Sequence, residues 1–291
     1  MRFSMKLLVC SLLLFSTNVW GQAPVMVCTN FGCGFFSAFN TVVGLLDSYE
    51  QGEISGIEIK MGTAGLYYDE AKGPNWWSYY FEPFPMQIND TAPRMYIDGP
   101  LYCFHSLRGC VEMSKHRCNY LVNKYIKIRP EILKEVEVFL KKKVKNQPFV
   151  GVHYRGTDKI LSKPVAEAEY LSPEEAVLKI KQGLLRMPEC STYKIFVATD
   201  DQSFLDLMKQ EFGKRVCYFE MERSTDGQPI HERGGKSDGY LGGKMVLLDC
   251  LVLSRSDFFF RTSSNLGGAV ITFNPSLPSI FLNRALGGYE R

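Results

Sequence analysis

The chain reads as an α/β protein of two Rossmann-like halves, each a parallel sheet covered by helices. Three observations predict this. Residues Pro24 to Tyr49 run as apolar strand, glycine-rich turn and apolar helix, the opening of a mononucleotide-binding unit. From Phe149 onward, short β-branched or aromatic runs alternate with helical periods, the order that builds parallel sheets. Three of these later runs also end in polar clusters, which a parallel sheet gathers on one carboxyl edge.

Taken in order, residues 1–21 look like a secretory signal, with Arg2 and Lys6 ahead of the apolar run Leu7–Phe15 and a cut before Gln22. That run is well short of the ~20 residues needed to span a bilayer. We expect a chain without a stable membrane span, in the secretory lumen or secreted. Residues 22–147 form the first Rossmann-like half and 148–291 the second. Pro24–Thr29 is the first strand, Asn30-Phe31-Gly32-Cys33-Gly34 the turn, Phe35–Tyr49 the helix and Ser55–Met61 the second strand. The segment Leu66 to Phe84, which includes Trp76-Trp77-Ser78-Tyr79-Tyr80-Phe81, is either a sugar-stacking platform or a buried satellite core. Packing is the favoured use of such rings.

Pro130 opens a helix whose apolar face carries Ile132, Leu133, Val136, Phe139 and Leu140, and which ends in Lys141-Lys142-Lys143-Val144-Lys145. Cations at a helix end complement its dipole, and the net charge of +3 leaves no nucleic-acid footprint. Phe149–Tyr154 is then a buried strand. Ser172-Pro173-Glu174-Glu175 is a capping box opening a helix to about Met187. Strands follow at Tyr193–Ala198, Arg215–Phe219, Asp257–Arg261 and Ser279–Leu282, with a helix at Gly242–Leu253 and another after Ser264.

Of nine cysteines, Cys10 lies in the signal. The even remainder is consistent with up to four bridges, Cys28–Cys33 and Cys103–Cys110 being close enough to be local ones. Cys103, His105, Cys110, His116 and Cys118 match no standard zinc spacing, and no metal is expected. Asn89-Asp90-Thr91 is a glycosylation sequon.

The strand-end clusters carry the chemistry. They are His153/Arg155/Asp158/Lys159, then Thr199/Asp200/Asp201, then Arg261/Thr262/Ser263/Ser264/Asn265. Period-two alternation puts His153 and Arg155 on one side of their strand. A guanidinium fork and a helix start with free amides suit a diphosphate, and nearby acids suit a ribose or base. Without any Asp-x-Asp pair to hold a metal, cations and amides would have to stabilise the leaving group.

The sequences His153-x-Arg155-x-Thr157-Asp158-Lys159, Ala198-Thr199-Asp200-Asp201, Leu247-Leu248-Asp249 with Ser254-Arg255-Ser256-Asp257-Phe258, and Thr262-Ser263-Ser264 recur in this order in the α1,6-fucosyltransferases. The chain resembles that family, with nodulation fucosyltransferases and, more distantly, protein O-fucosyltransferases sharing the core pattern. Gly32 and Gly34 resemble its first glycine-rich loop. The resemblance implies a GT-B-like pair of Rossmann domains, the first acceptor-side and the second binding the nucleotide sugar. It also implies inverting, metal-independent transfer of fucose from GDP-fucose to a glycan or glycoprotein hydroxyl.

Carried over, the resemblance puts Arg155 on the β-phosphate, His153 on the nucleotide and Asp249 on guanine. Ser263 and Ser264, with Asn265 beside them, would bind the diphosphate, Asp158, Asp200 and Asp201 the donor, and Lys159 would lie near the leaving group or the base. Two positions differ. The family carries two arginines where this chain has Arg155-Gly156, and Lys163 stands where its candidate base, a glutamate, is found. Glu167 and Glu169 lie just beyond, an insertion could bring either to the site, and Glu167 is the favoured base here. The competing readings are a glycosyltransferase using another nucleotide sugar and a non-catalytic secreted sugar- or nucleotide-binding protein.

Overall fold

The structure, a computed structural model, describes residues 22–29, 32–63, 65–98, 113–145, 147–156, 168–227 and 239–284. The signal segment 1–21 and the Cys103–Cys110 pair lie outside them. The chain divides into two compact units, Met1–Arg129 and Pro130–Arg291. Among the described residues, no helix is long and apolar enough to cross a membrane.

In the first unit, β1 (Val25–Thr29) lies between β2 (Gly56–Lys60) and β3 (Arg94–Ile97), all parallel. The helix α1 (Phe35–Glu50) follows β1 directly and is buried along most of its length. Its partner is the aromatic segment. Phe35 meets Tyr80 edge-on at 5.1 Å, and Trp77 lies 4.3 Å from Phe81. Trp76, Trp77, Tyr79, Tyr80 and Phe81 are all buried. These rings are therefore core, packed where edge-to-face contacts add to plain area burial. A second helix, α2 (Lys115–Tyr125), is capped by Ser114 and held to α1 by Arg117 on Asp47 at 2.7 Å.

The second unit opens with α3 (Pro130–Phe139), which winds on as a π-helical stretch through Leu140–Val144 and stops at Lys145, in the left-handed conformation at φ 60°. Its five-stranded sheet is wholly parallel: β4 (Phe149–Tyr154), β5 (Lys194–Thr199), β6 (Val216–Cys217), β7 (Phe258–Arg261) and β8 (Ser279–Phe281). The spatial order is β6-β5-β4-β7-β8, so β4 is central and paired on both edges. All six of its residues are buried, as expected for a parallel strand with helices on both faces. On one face Val150, Val152 and Tyr154 pack with α4 (Pro173–Leu185) and α5 (Gln202–Phe212), Tyr154 stacking on Phe204 at 4.2 Å. The other face, at Gly151, is met by Leu253 and Ser256 at the end of α6 (Gly239–Leu253). The last helix is α7 (Asn265–Phe273). The capping box at Ser172 forms as the sequence reads, with both reciprocal hydrogen bonds.

For the described cysteines the disulfide expectation is corrected. Cys28, Cys190, Cys217 and Cys250 are buried, unbonded thiols, so the Cys28–Cys33 bridge is not formed. Cys28 sits in β1 and Cys250 in α6, where each packs as a small apolar side chain. Burial raises the Cys28 and Cys217 thiols to about 12.

Gly183 shows how closely α4 lies on the sheet. A Cβ there would stand 2.5 Å from the buried ring of Phe260. Helix propensity alone predicts that Gly183→Ala stabilises by up to about 1 kcal/mol. Overpacking wins here: we expect a loss of about 1–3 kcal/mol, read from urea unfolding midpoints. A stabilised variant would show that the Phe260 ring has room to turn.

Candidate functional site

The second sheet reverses its direction of growth beside β4. The chain moves outward through β5 and β6, then returns to the other side for β7 and β8. The crevice at the carboxyl ends of β4 and β7 is thus the topological switch point, where open α/β sheets take their ligands. His153 pairs in register with Arg261, and Thr262 donates its N–H to the His153 carbonyl at 3.0 Å. Beyond the strand, the Arg155 N–H donates to Thr262 Oγ1 at 3.0 Å. The two strand tips are thereby locked together, with His153 and Arg155 on one face and Tyr154 turned into the opposite core, its hydroxyl donating to Leu171 O at 2.7 Å.

The start of α7 meets this tip. Ser264 is its N-cap, accepting the Gly267 N–H at 2.9 Å. The same Oγ lies 3.3 Å from His153 Nδ1. With its lone pair on Gly267, Ser264 can donate to Nδ1, leaving the ring proton on Nε2. Burial, with Arg155 and Arg261 nearby, pushes His153 down to about 3, so the imidazole is neutral and serves as a hydrogen-bonding group. The Ser263 N–H donates to Asn283 Oδ1 at 2.9 Å, and Asn283 Nδ2 donates to Glu169 O at 3.0 Å. Asn283 therefore ties the α7 start to the point where the chain re-enters after residue 167. Asn265 opens the helix itself.

The tip of β5 supplies the acids. Asp200 Oδ1 accepts the Gly156 N–H at 3.2 Å, and Oδ2 lies 3.7 Å from Arg155 Nε. Asp201 instead caps α5, accepting from the Phe204 N–H at 3.0 Å and the Ser203 hydroxyl at 2.6 Å. Arg223 braces the same tip, donating to the carbonyls of Thr199, Met221 and Phe219 at 3.2, 3.2 and 2.8 Å. Asp249 on α6 is 5 % exposed, and burial raises its carboxyl to about 7 although the Arg223 charge opposes this.

The structure thus gathers His153, Arg155, Asp200, Asp201, Ser263, Ser264 and Asn265 around one sheet edge, with Asp249 buried on the helix before β7. Gly32 and Gly34 belong to the first unit, at the start of α1, where an added Cβ would meet nothing within 4 Å. Asp158, Lys159 and Glu167 lie outside the described residues. Sequence reasoning missed Arg223 and Asn283, single polar residues in irregular stretches that no pattern marks. It placed Arg261 and Thr262 in the strand-end cluster without giving either a role.

A model of the family described as alpha-(1,6)-fucosyltransferase N- and catalytic domains matches residues 115–266 of this chain. Among solved structures, NodZ alpha-1,6-fucosyltransferase soaked with GDP-fucose is similar at TM-score 0.57 and 15% identity, over 87% of this chain and 94% of that one. Fucosyltransferase NodZ from Bradyrhizobium is similar at TM-score 0.51 and 15% identity, covering 86% and 92%. POFUT1 in complex with GDP follows at TM-score 0.54 and 11% identity, covering 89% and 98%. At such identities these structures establish the fold, a GT-B pair of Rossmann-like domains.

Two buried groups of the site give the protein opposed pH dependences. His153, depressed from 6.5, contributes stability that is present above 6.5 and is lost as pH falls toward about 3. Asp249, raised from 3.8, contributes stability that is present below 3.8 and is lost as pH rises through about 7. In Asp249→Asn only the first slope remains. The stability of the variant relative to the parent should therefore rise from pH 4 to 7, by on the order of a few kcal/mol, in denaturant titrations across that range. A gap that stays constant with pH would mean that Asp249 is not shifted.

Proposed function

The chain belongs to the alpha-(1,6)-fucosyltransferase family, a family of glycosyltransferases, and from that premise we propose that it transfers fucose from GDP-fucose to a hydroxyl of a glycan or glycoprotein, with inversion and without a metal. The observation that carries this reading is the overlap of two findings. The matched residues 115–266 contain Arg155, Asp200, Asp249, Ser263, Ser264 and Asn265, and the second unit sets these residues in and around its switch-point crevice.

The chemistry follows from what these groups offer. An acceptor oxygen attacks the anomeric carbon from the side opposite the diphosphate, forming the new glycosidic bond as the bond to GDP breaks. Charge then accumulates on the departing β-phosphate. Arg155 grips it as a fork, and the Ser263–Asn265 helix start offers hydroxyls and the positive end of its dipole. His153, neutral and hydrogen-bonded, orients the nucleotide, Asp249 accepts from guanine, and Asp200 holds the Arg155 loop. Lys159, beside the leaving group, adds charge, and Asp158 contacts the donor. Glu167 takes the acceptor proton. Supporting its candidacy, the segment that carries it leaves the site at Gly156 and returns at Glu169, both ends held by site residues. The first unit, with Gly32 and Gly34 ahead of α1, is the acceptor-side unit.

Calorimetry with GDP, UDP and CMP should show selective GDP binding, lost in Arg155→Ala. Transfer from GDP-fucose, run in a chelator, should fall by at least ~100-fold in both Arg155→Ala and Glu167→Gln with the fold intact. Preference for UDP would replace fucose with another donor, and near-parental turnover in Arg155→Ala would remove that residue from the reaction.

We also place the protein in a secretory lumen, where the sequon becomes a modification site. Asn89 is exposed in a turn whose Oδ1 accepts the Thr91 N–H at 3.0 Å and hydroxyl at 2.8 Å. Expression in secreting eukaryotic cells should give a glycosidase-sensitive gel shift that Asn89→Gln abolishes. An unshifted, cytosolic product would rule the location out.

A further inference from the structure

Arg261 is a buried cation that no carboxylate among the described residues neutralises. It ends β7 beside His153 and is 6 % exposed. Its Nε has no hydrogen-bond partner, and its Nη1 donates to Gly267 O at 3.3 Å, in the first turn of α7. The guanidinium lies over the Phe281 ring, 3.9 Å from its centroid. No carboxylate pairs with it among the described residues, and burial alone lowers it to about 10. A guanidinium out of water normally demands an anion, because ring faces and single carbonyls replace little of its hydration. Here the cation is aimed at the start of a helix, the positive end of its dipole, which makes the same demand.

The neighbouring loop cannot supply a further cation next to Arg155. A Cβ on Gly156 would stand 2.6 Å from the Tyr154 ring and 2.7 Å from Asp201 Oδ2. Neither neighbour is free to give way. Tyr154 is stacked on Phe204 and hydrogen-bonded to Leu171 O, and Asp201 is committed to capping α5. The position directly after Arg155 is therefore closed to any side chain, and Arg155 itself is partly engaged by Asp200. A diphosphate needs more positive charge than Arg155 alone provides.

We propose that Arg261 supplies a further cation to the diphosphate site, acting with Arg155 and the start of α7 from the neighbouring strand. This rests on the nucleotide-sugar reading above and gives it a positioning residue. The buried guanidinium holds the diphosphate by charge and fixes the first turn of α7 through Gly267.

The test is calorimetric titration of the whole protein with GDP and with guanosine, for the parent, Arg261→Met and Arg261→Lys. Arg261→Met should lose at least tenfold in GDP affinity while guanosine affinity stays within twofold, and Arg261→Lys should recover most of the loss. Nucleotide-free Arg261→Met should melt no lower than the parent, because the buried charge it removes has no carboxylate partner among the described residues. Equal losses for GDP and guanosine, an unchanged GDP affinity, or a Met variant that melts early or fails to fold would each overturn the proposal. A parent that binds GDP while Arg261→Met binds it equally well defeats this inference alone. A parent that binds no nucleoside diphosphate defeats the donor reading and this inference with it.

Discussion

Everything in the second unit depends on the burial of β4. The strand is hydrogen-bonded along both edges and covered on both faces, so no residue from Phe149 to Tyr154 faces solvent. Polar chemistry can begin only where the pairing stops, at its carboxyl end. Parallel register then does the rest: the chain emerges from β5 and β7 at the same level, which is why Asp200 and Thr262 are within hydrogen-bonding reach of the backbone just past β4. The crevice is a by-product of sheet geometry that the sequence has filled with useful groups.

The filling is electrostatically uneven. On the β4–β7 side lie Arg155, Arg261 and the positive end of α7, facing an imidazole that burial keeps neutral. On the β5 side the acids are largely in use. Asp201 caps a helix and Asp200 holds the Gly156 amide. The balance of the empty site is thus cationic where an anion would sit, an arrangement preorganised to receive charge without rearranging.

Most of the fold was legible in the sequence because the determining signals are local. The β-branched run Phe149–Val152, the box at Ser172 and the cap at Ser264 each specify their element without help from afar. The shared sheet edge was legible too, since βα alternation fixes which strand ends lie together. What could not be read depends on contacts remote in sequence. Asn283 acquires its place only when β8 docks beside β7, and Arg223 only when its segment folds against the β5 tip. The cysteines misled for the opposite reason. An even count suggests bridges, yet Cys28 and Cys250 sit inside regular elements where they serve as packing volume.

The hydrogen bonds of Asn283 also say something about assembly in time. The α7 start, the return of the chain at Glu169 and the ring beneath Arg261 all rely on residues 281–283, which are synthesised after every other part of the unit described above. A chain growing from its N-terminus can form β4, β5 and their helices early, but must leave the crevice unfinished until that last strand emerges. The newly made protein therefore passes through a state in which the sheet is built while its cationic edge is still open to water. Competence to bind an anion there is among the last properties the unit acquires.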